Sequence, residues 1–600
     1  MNLKIIFHDE KISWDKNWIF LGSSYQNLKN IEDKLEGKRI KIDEILHDTF
    51  KEELPNYLQW NEKQRIKFDD SIYWWMTELA GRNIGQINFF LYICQIFSLK
   101  KILKKIKEND FLIVCDDILL IQAVINNFNQ YKIQKSKSLT LKIIKIFFLH
   151  YYKVVKNLFI SILSIIFTYF CLKFTLQKKM APKGNVYLLH QFVDTNSLQN
   201  DENIKSRYFP YLKEYFVKKK LNLYSLPWFE VFWLKKIKAL QKLRKEKCII
   251  VEDWLNIFDY FQSIRNFFKS SSCFDTQSIY PNLNIKYLII REKRIYQESI
   301  VSNLRFWTYI PAIKKWSKNC ESLISIDHYE NMLYEHALLA AINNINKKTK
   351  TCGYHHTLAS KEFTAWHSLK SEWDSKFKPE YIISLGPVSK KMLVDQGVPD
   401  EKIIDGPALR FNNMLIENNN YNKKNKNSIV IPLSQNLNAS FEIVSKIKKL
   451  SEALKDSKYD FIIKPHPNYK TSEITSLLGL KKLPNNLTIS HDKINNLLNN
   501  SLFVIYMSSG AGYDAILNGN IVFNLRSELN LMNNYLDIFE DNFEFVNSYS
   551  LESIKNILFE FNQDEKKIEK YEKSFKELKS YLLKNMNSTN LQSLSKFELN

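Results

Sequence analysis

The sequence predicts an α/β protein: two doubly wound parallel-sheet domains facing a cleft, preceded by an N-terminal α/β region and a basic apolar helical segment. Three observations carry that expectation. Short apolar runs alternate with helix-compatible stretches along most of the 600 residues, the pattern of parallel sheets covered by helices on both faces. A polar low-complexity stretch, "IENNNYNKKNKNS", separates the last two series as a linker would. The residues with chemistry to offer collect just behind the apolar runs, at the carboxyl ends of predicted strands, where such folds bind ligands. The chain is also too long for one core, since single cores stop growing near roughly 250–300 residues.

In chain order, residues 1–135 form the N-terminal region, with strands expected at "LKIIF", "NWIFLGSS" and "FLIVCDD" and an aromatic helical stretch over "SIYWWMTELAGRNIGQINFFLYICQIF". Residues 136–180 are the basic apolar segment. Residues 181–416 form a first doubly wound domain, on the acceptor side, with strands at "NVYLLHQF", "CIIVED", "SLISID", "TCGYHH", "YIISLG" and "KIIDG". After a linker at 417–427, residues 428–600 form a second one, on the nucleotide side, from "SIVIPLS", "DFIIKPHP", "LFVIYMSSG" and "IVFNL" with C-terminal helices. No repeat of fixed period is present.

The formal charge is +22, from 86 Lys+Arg against 64 Asp+Glu, which favours anionic partners. No basic-helix, zinc-finger or RNA-binding signature accompanies it, so nucleic acid is not an expected partner. Cys94, Cys115, Cys171, Cys248, Cys273, Cys320 and Cys352 form no CxxC pair, which reads as a reducing, cytoplasmic setting without a structural metal. The start "MNLKIIFHDE" is strand-like and has no leader pattern.

Within 136–180, "NLFISILSIIFTYFCL" (157–172) carries no charge and is flanked by lysines. As a helix it covers about 24 Å, short of a hydrocarbon core of roughly 30 Å. Membrane-surface association, a buried helical hairpin and a true span stay open, the first suiting the lysine-rich stretch before it.

Among the motifs, "FIIKPHPNYK" ends an apolar run in a histidine between two prolines. Pro465 and Pro467 should stop the strand and hold His466 at its tip, with Lys464 adding charge. "VIYMSSGAGYDAIL" ends a strand in Ser508, Ser509 and Gly510 before a helix, a combination suited to a phosphate, or simply to capping. It is neither a Walker loop nor a dinucleotide fingerprint. In "SIDHYENMLYEHALL", Asp327 and Glu330 form a capping box if the helix starts after Asp327, and Glu335 extends the polar stripe, as a base or as a clamp on sugar hydroxyls. In "CGYHHTLAS", alternation sends His355 and His356 to opposite sides, so one of them enters the cleft. Arg410 in "DGPALRF" suits a carboxylate or phosphate. Neither "VCDD" nor "VED" makes a DxD metal triad, and both read as strand-end caps.

The ordered set "SRYFPYL", "YENMLYEHALL", "GYHH", "PEYIISLG", "GPALRF", "KPHP" and "MSSGAGYDAIL" resembles bacterial surface-carbohydrate (O-antigen and capsule) biosynthesis proteins, and more distantly capsular polysialyltransferases and Kdo transferases of GT-B fold. The resemblance covers most of the chain after residue 185. It implies a GT-B-like, metal-independent glycosyltransferase without cofactor, at the inner face of the cell membrane. A nucleotide-sugar donor, CMP-linked, would give up its sugar to a lipid-linked or glycan acceptor. It further implies His466 and Pro467 on the nucleotide and Ser508, Ser509 and Gly510 on its phosphate. The acidic catalytic motif of those enzymes has no match here. Glu335 and His356 are the expected catalytic groups in its place, with Glu330, Arg410 and Lys464 binding substrate. A teichoic-acid-type CDP-polyol phosphotransferase, a nucleotide-sugar epimerase and a non-catalytic assembly partner are the alternatives.

Overall fold

The structure, a computed structural model, describes the chain except residues 107, 137, 174–180, 194–205, 207, 229–241, 244–246, 346, 413, 415–423, 468–482 and 600. Among the described residues there are three sheets, and every strand pairing within them is parallel. β1 (Asn2–Phe7), β2 (Trp18–Leu21), β3 (Asp110–Cys115) and β4 (Lys132–Lys135) are ordered β2-β3-β1-β4. β5 (Gly184–Phe192), β6 (Leu223–Trp228), β7 (Cys320–His328), β8 (Lys348–Tyr354), β9 (Tyr381–Ser384) and β10 (Ile403–Asp405) run β10-β9-β8-β7-β5-β6. The third sheet holds β11 (Asn425–Pro432), β12 (Asp460–Lys464), β13 (Leu487–Ile489), β14 (Ser501–Tyr506), β15 (Ile521–Leu525) and β16 (Ser548–Tyr549), in the order β13-β12-β11-β14-β15-β16. Central strands such as β14, "SLFVIY", are buried at every position, as strands covered on both faces must be.

Four elements depart from the sequence reading. The aromatic stretch 71–97 is not one helix. Thr77 caps a new turn by accepting from the Ala80 amide, Arg82 takes a left-handed φ of 53°, and the long helix Phe89–Lys105 starts only afterwards. "CIIVED" makes a single bridge, Ser225 to Cys248, and then a 3₁₀ turn, Val251–Trp254. The predicted linker 417–427 gives way to β11 at Asn425, and its residues 417–423 lie outside the described ones. The C-terminal segment returns to the second sheet: the Asn587 amide donates to Leu385 O, the Ala408 amide to Asn587 O, and the Tyr187 hydroxyl to Glu598 O. Gly386, at φ 127°, lets that segment pass, because a Cβ there would meet Asn585 O at 2.8 Å.

The basic apolar segment is one helix, Leu139–Lys173, with much of its apolar surface exposed, so the buried hairpin is not formed. The N-terminal region packs tightly on the rest. Arg82, fully buried, pairs with Glu372 (2.9 and 3.2 Å) and also donates to Asn61 Oδ1 and His367 O. Lys378 also lies 3.6 Å from Glu372, so removing Glu372, which leaves two buried cations, should cost more than removing Arg82, with a loss on the order of 3–5 kcal/mol.

Candidate functional site

The carboxyl ends of all three sheets converge on a cavity of about 410 Å³. Ser23 behind β2, Glu330 behind β7, Thr357 behind β8, Ser434 behind β11, Ser508 behind β14 and Asn530 behind β15 all line it. The cleft expected between two domains therefore has a third wall from the N-terminal region, which also contributes Asn83 and Asn88. The Asn88 side chain donates to Ser23 Oγ at 3.0 Å. A larger trench, about 940 Å³, lies beside the helices Asp43–Lys67 and Pro387–Asp395 and contains none of the predicted residues.

The wall behind β7 is charged and supported from within. The strand runs on through His328, so Asp327 is a strand residue and no capping box forms with Glu330; the helix starts at Leu333. In between, Asn331 takes a left-handed φ of 57°. Glu335 holds this turn, its carboxylate accepting from the amides of Glu330 (2.8 Å) and Asn331 (2.9 Å). Burial, then the charges of Asp327 and Glu330, push its carboxyl well above the usual range. Glu335 is thus a positioning residue, and the expectation of a base there is corrected: both its oxygens are engaged away from the cavity wall. The N-terminal region buttresses the same turn. Asn331 donates to Gly81 O (3.1 Å) and accepts from Lys378 Nζ (2.9 Å), and a Cβ at Gly81 would come within 2.8 Å of Asn331 O.

Glu330 is the acid that reaches the cavity. His356 Nε2 lies 3.3 Å from its Oε1, and the Tyr334 hydroxyl donates to its Oε2 at 3.1 Å. Behind Tyr334 a buried series continues: His328 Nε2 at 2.7 Å from the hydroxyl, His328 Nδ1 at 3.2 Å from Asp327, and His190 Nδ1 at 2.9 Å from the other Asp327 oxygen. Burial opposes ionisation of Glu330, but His356, His328 and Tyr334 outweigh it and hold the carboxyl down at about 2. Burial lowers the His356 pKa, against the pull of Glu330, while His328 is raised because Asp327 and Glu330 overcome its burial. His356 itself is buried under the Tyr208 ring, 4.4 Å between centroids, and touches the cavity only through Glu330. His355 points the other way, into the core, bonded to Ser389 Oγ (2.6 Å) and set edge-on to Trp366. The two rings point opposite ways, as strand alternation predicts, but both are buried and neither lines the cavity.

The opposite wall, on the third sheet, is neutral among the described residues. Ser508 lines it with a left-handed φ of 49°, and the Ser434 hydroxyl donates to Ser508 O at 2.6 Å. The helix Leu437–Ala453 opens onto the cavity at its amino end, where Asn436 accepts from the amides of Asn438 and Ala439. Sequence reasoning missed Ser434 and Asn436. The signal was there in "PLSQNLN", a strand end followed by a helix-capping asparagine. Ser509 precedes the seven-residue helix Ala511–Leu517, whose N-cap is Gly510, and its Oγ accepts from the Ala511 amide at 3.3 Å. Gly510 keeps a common φ, and a Cβ there would meet open space. Arg410 donates to Asp514 (3.2 and 3.4 Å), an ion pair between the segment behind β10 and the helix behind β14.

His466, Pro467 and Lys464 sit at the end of β12, with Lys464 Nζ 3.5 Å from His491 O. β11 stands between β12 and β14, so this group and Ser508 are not on neighbouring strands as the sequence order suggested. They are two strand spacings apart, about 9–10 Å. Among the described residues none of the three lines the cavity.

No protein-family model matches the sequence, and no curated protein matches it. Solved structures resemble its course. UDP-GlcNAc 2-epimerase from Neisseria meningitidis, bound to UDP-GlcNAc, is 12% identical over 69% of this chain and 98% of its own, at TM-score 0.33. TarM is 12% identical over 71% and 99%, at 0.35. The wall teichoic acid polymerase TagF is 13% identical over 75% and 96%, at 0.34. At these scores the likeness says nothing about activity, and function is read from the site.

Proposed function

We propose that the chain is a glycosyltransferase of surface-polysaccharide assembly, moving a sugar from a nucleotide-linked donor to a hydroxyl of a lipid-linked or glycan acceptor. The observation that carries this reading is the asymmetry of the cavity: the Glu330 carboxyl, braced by His356 at 3.3 Å and Tyr334 at 3.1 Å, on one wall, and hydroxyls, amides and a helix amino end facing it on the other. Displacement at an anomeric carbon has the same asymmetry, with positive charge growing on the sugar and negative charge on the departing phosphate.

In this mechanism Glu330 accepts the hydrogen bond of the acceptor hydroxyl and balances the charge on the sugar carbon. A carboxyl held near 2 is a weak base toward a free alcohol. As the new C–O bond forms, however, the acceptor oxygen becomes oxonium-like and far more acidic, so the proton passes to Glu330 late in the step. His356 and Tyr334 orient the carboxylate. Ser434, Ser508 and the amino end of Leu437–Ala453 receive the phosphate, the dipole favouring its charge. We assign His466, two strands away and outside the cavity lining, to the nucleoside end of the same donor, with CMP as the nucleotide.

A melting-temperature screen against CMP, CDP, UDP and GDP tests the donor, because a ligand that binds only the folded state raises stability by mass action. A shift with CMP that His466→Ala removes supports the CMP-linked donor; a shift with UDP or GDP alone replaces it. A product carrying a new phosphodiester would transfer the site to the polyol phosphotransferase reading.

A further inference from the structure

The helix Leu139–Lys173 is apolar on both sides. Its inner face, against the helices Lys286–Glu298 and Ile300–Trp316, packs Ile143, Ile146, Leu158 and Ile165 on the core and also holds its buried polar groups. His150 lies between Glu298 and Gln297, 3.1 Å from each, and Asn157 donates to Glu298 O at 2.7 Å. Ser161 is buried on the same side. The outer face is apolar and aromatic: Phe148 is 74% exposed, Tyr151 67%, Val155 68% and Phe159 60%, and the series continues through Ile162 and Ile166. A water-facing helix on a globular core is polar on its outer face. The helix contains no acid, and Lys145, Lys153 and Lys156 are exposed along it. A second apolar group lies close by in the chain. The turn Val251–Trp254 touches this helix and leads into Ile257–Ser270, whose first residues include exposed Ile257, Phe258 and Phe261.

We infer that this outer face is a docking surface for an anionic lipid bilayer, with the helix lying in the plane of the headgroups over its whole length. Length and composition alone would also allow it to cross a membrane. A span, though, would have to pull His150 and Asn157 off their partners on the neighbouring helix end and carry them into hydrocarbon, where unpaired polar groups are costly. Lying flat keeps every one of those bonds, sinks the aromatic face into the acyl boundary and leaves the lysines at the phosphate level. A second protein copy would find an apolar face but no acids on this helix to meet the lysines; anionic lipid satisfies both. The inference stands on this helix alone and is independent of the transfer reaction.

The full chain should co-sediment with vesicles of phosphatidylglycerol and phosphatidylcholine far better than with phosphatidylcholine alone. With Lys153 already paired to Glu298 at 3.2 Å, Lys145 and Lys156 predict a preference on the order of thirtyfold at low salt, shrinking as salt is added. The double variant Phe148→Glu/Phe159→Glu should lose binding with its melting temperature unchanged, and Lys145→Glu/Lys156→Glu should lose the lipid preference even where the first variant folds poorly. An alkaline carbonate wash should release the protein. Equal binding to both vesicles, binding unaffected by either variant, or retention through carbonate would overturn the inference. So would a dimer in light scattering that the phenylalanine variant dissolves without any loss of lipid binding.

Discussion

The two walls of the cavity are made by different physics. Behind β7, one carboxylate is fixed by a buried series running from His356 and Tyr334 through His328 and Asp327 to His190. Behind β11 and β14 the described residues put no comparable charge on the wall; Ser434, Gln435, Ser508 and the asparagines at the start of a 17-residue helix line it. A charged wall commits to one electrostatic task and must be held rigidly, whereas a wall of neutral donors can bind an anion and let it go. The contrast predicts that substitutions in the first wall will damage chemistry, and those in the second, binding.

The largest effect should come from Glu330→Gln. It removes the charge while keeping the shape and the Tyr334 contact, and should lower the transfer rate by about a hundred- to ten-thousand-fold. The nucleotide-induced melting shift should survive. If the shift disappears and the residual rate stays high, the walls have been assigned the wrong way round. The pH profile sharpens the same point. With the carboxyl held near 2, the rate should show no acid limb at the ordinary carboxylate pKa, and lowering the pH from 6 to 4.5 should cost little activity until stability fails. A limb centred near 4.5 would mean that His356 and Tyr334 do not support the charge.

Next in size is Glu335→Ala, which orphans the two amides of the Glu330 turn. Each buried donor without a partner costs about 1–3 kcal/mol, so the melting temperature should fall clearly and the rate with it. Glu335→Gln keeps one acceptor and should recover much of both. Rescue by glutamine distinguishes a positioning residue from a base, since a base would stay silent in either variant. Ser434→Ala is smaller again. It removes the donor to Ser508 O, a loss of about 1 kcal/mol in stability, and should weaken nucleotide binding while leaving the rate at saturating donor nearly unchanged.

How much of this was legible in the sequence follows from how local each signal is. Parallel strands announce themselves as short apolar runs, and β1, β3, β7, β11, β14 and β15 were placed by that signal alone. Glu330 was legible as a cleft residue because it trails such a run. Its partner roles were not, because Asp327 looked like a helix cap until β7 proved to continue through His328. Glu335 looked like the free acid of a polar stripe, while the groups it binds are two amides in a turn whose left-handed Asn331 no spacing rule exposes. Strand order was the other blind spot. Chain order makes β12 and β14 close neighbours in their series, and only the sheet shows β11 between them. The third wall, from β2 and the Asn83–Asn88 turn, is a contact between regions far apart in the chain, and nothing local encodes it.

The smallest effect tests whether burial alone can be told from function. Asp537 is buried away from the proposed reaction, its carboxylate accepting from Ser360 Oγ (2.5 Å) and the Lys361 amide (2.8 Å), and burial pushes its pKa up to about 8. The folded protein thus keeps a proton there that the unfolded chain releases above 3.8, so folding stability falls as pH rises from about 4 to 8. Asp537→Asn imitates the protonated form. It should leave the melting temperature near pH 4 almost unchanged, raise it at pH 8, and leave the transfer rate alone at both. Where Glu330 is kept charged by its neighbours, Asp537 is kept neutral by burial, which outweighs the hydrogen bonds from Ser360 and Lys361. If the asparagine variant instead lowers stability at pH 8, Asp537 is an ionised partner of the 360–361 turn, and the distinction between a built carboxylate and a merely buried one loses its clearest control.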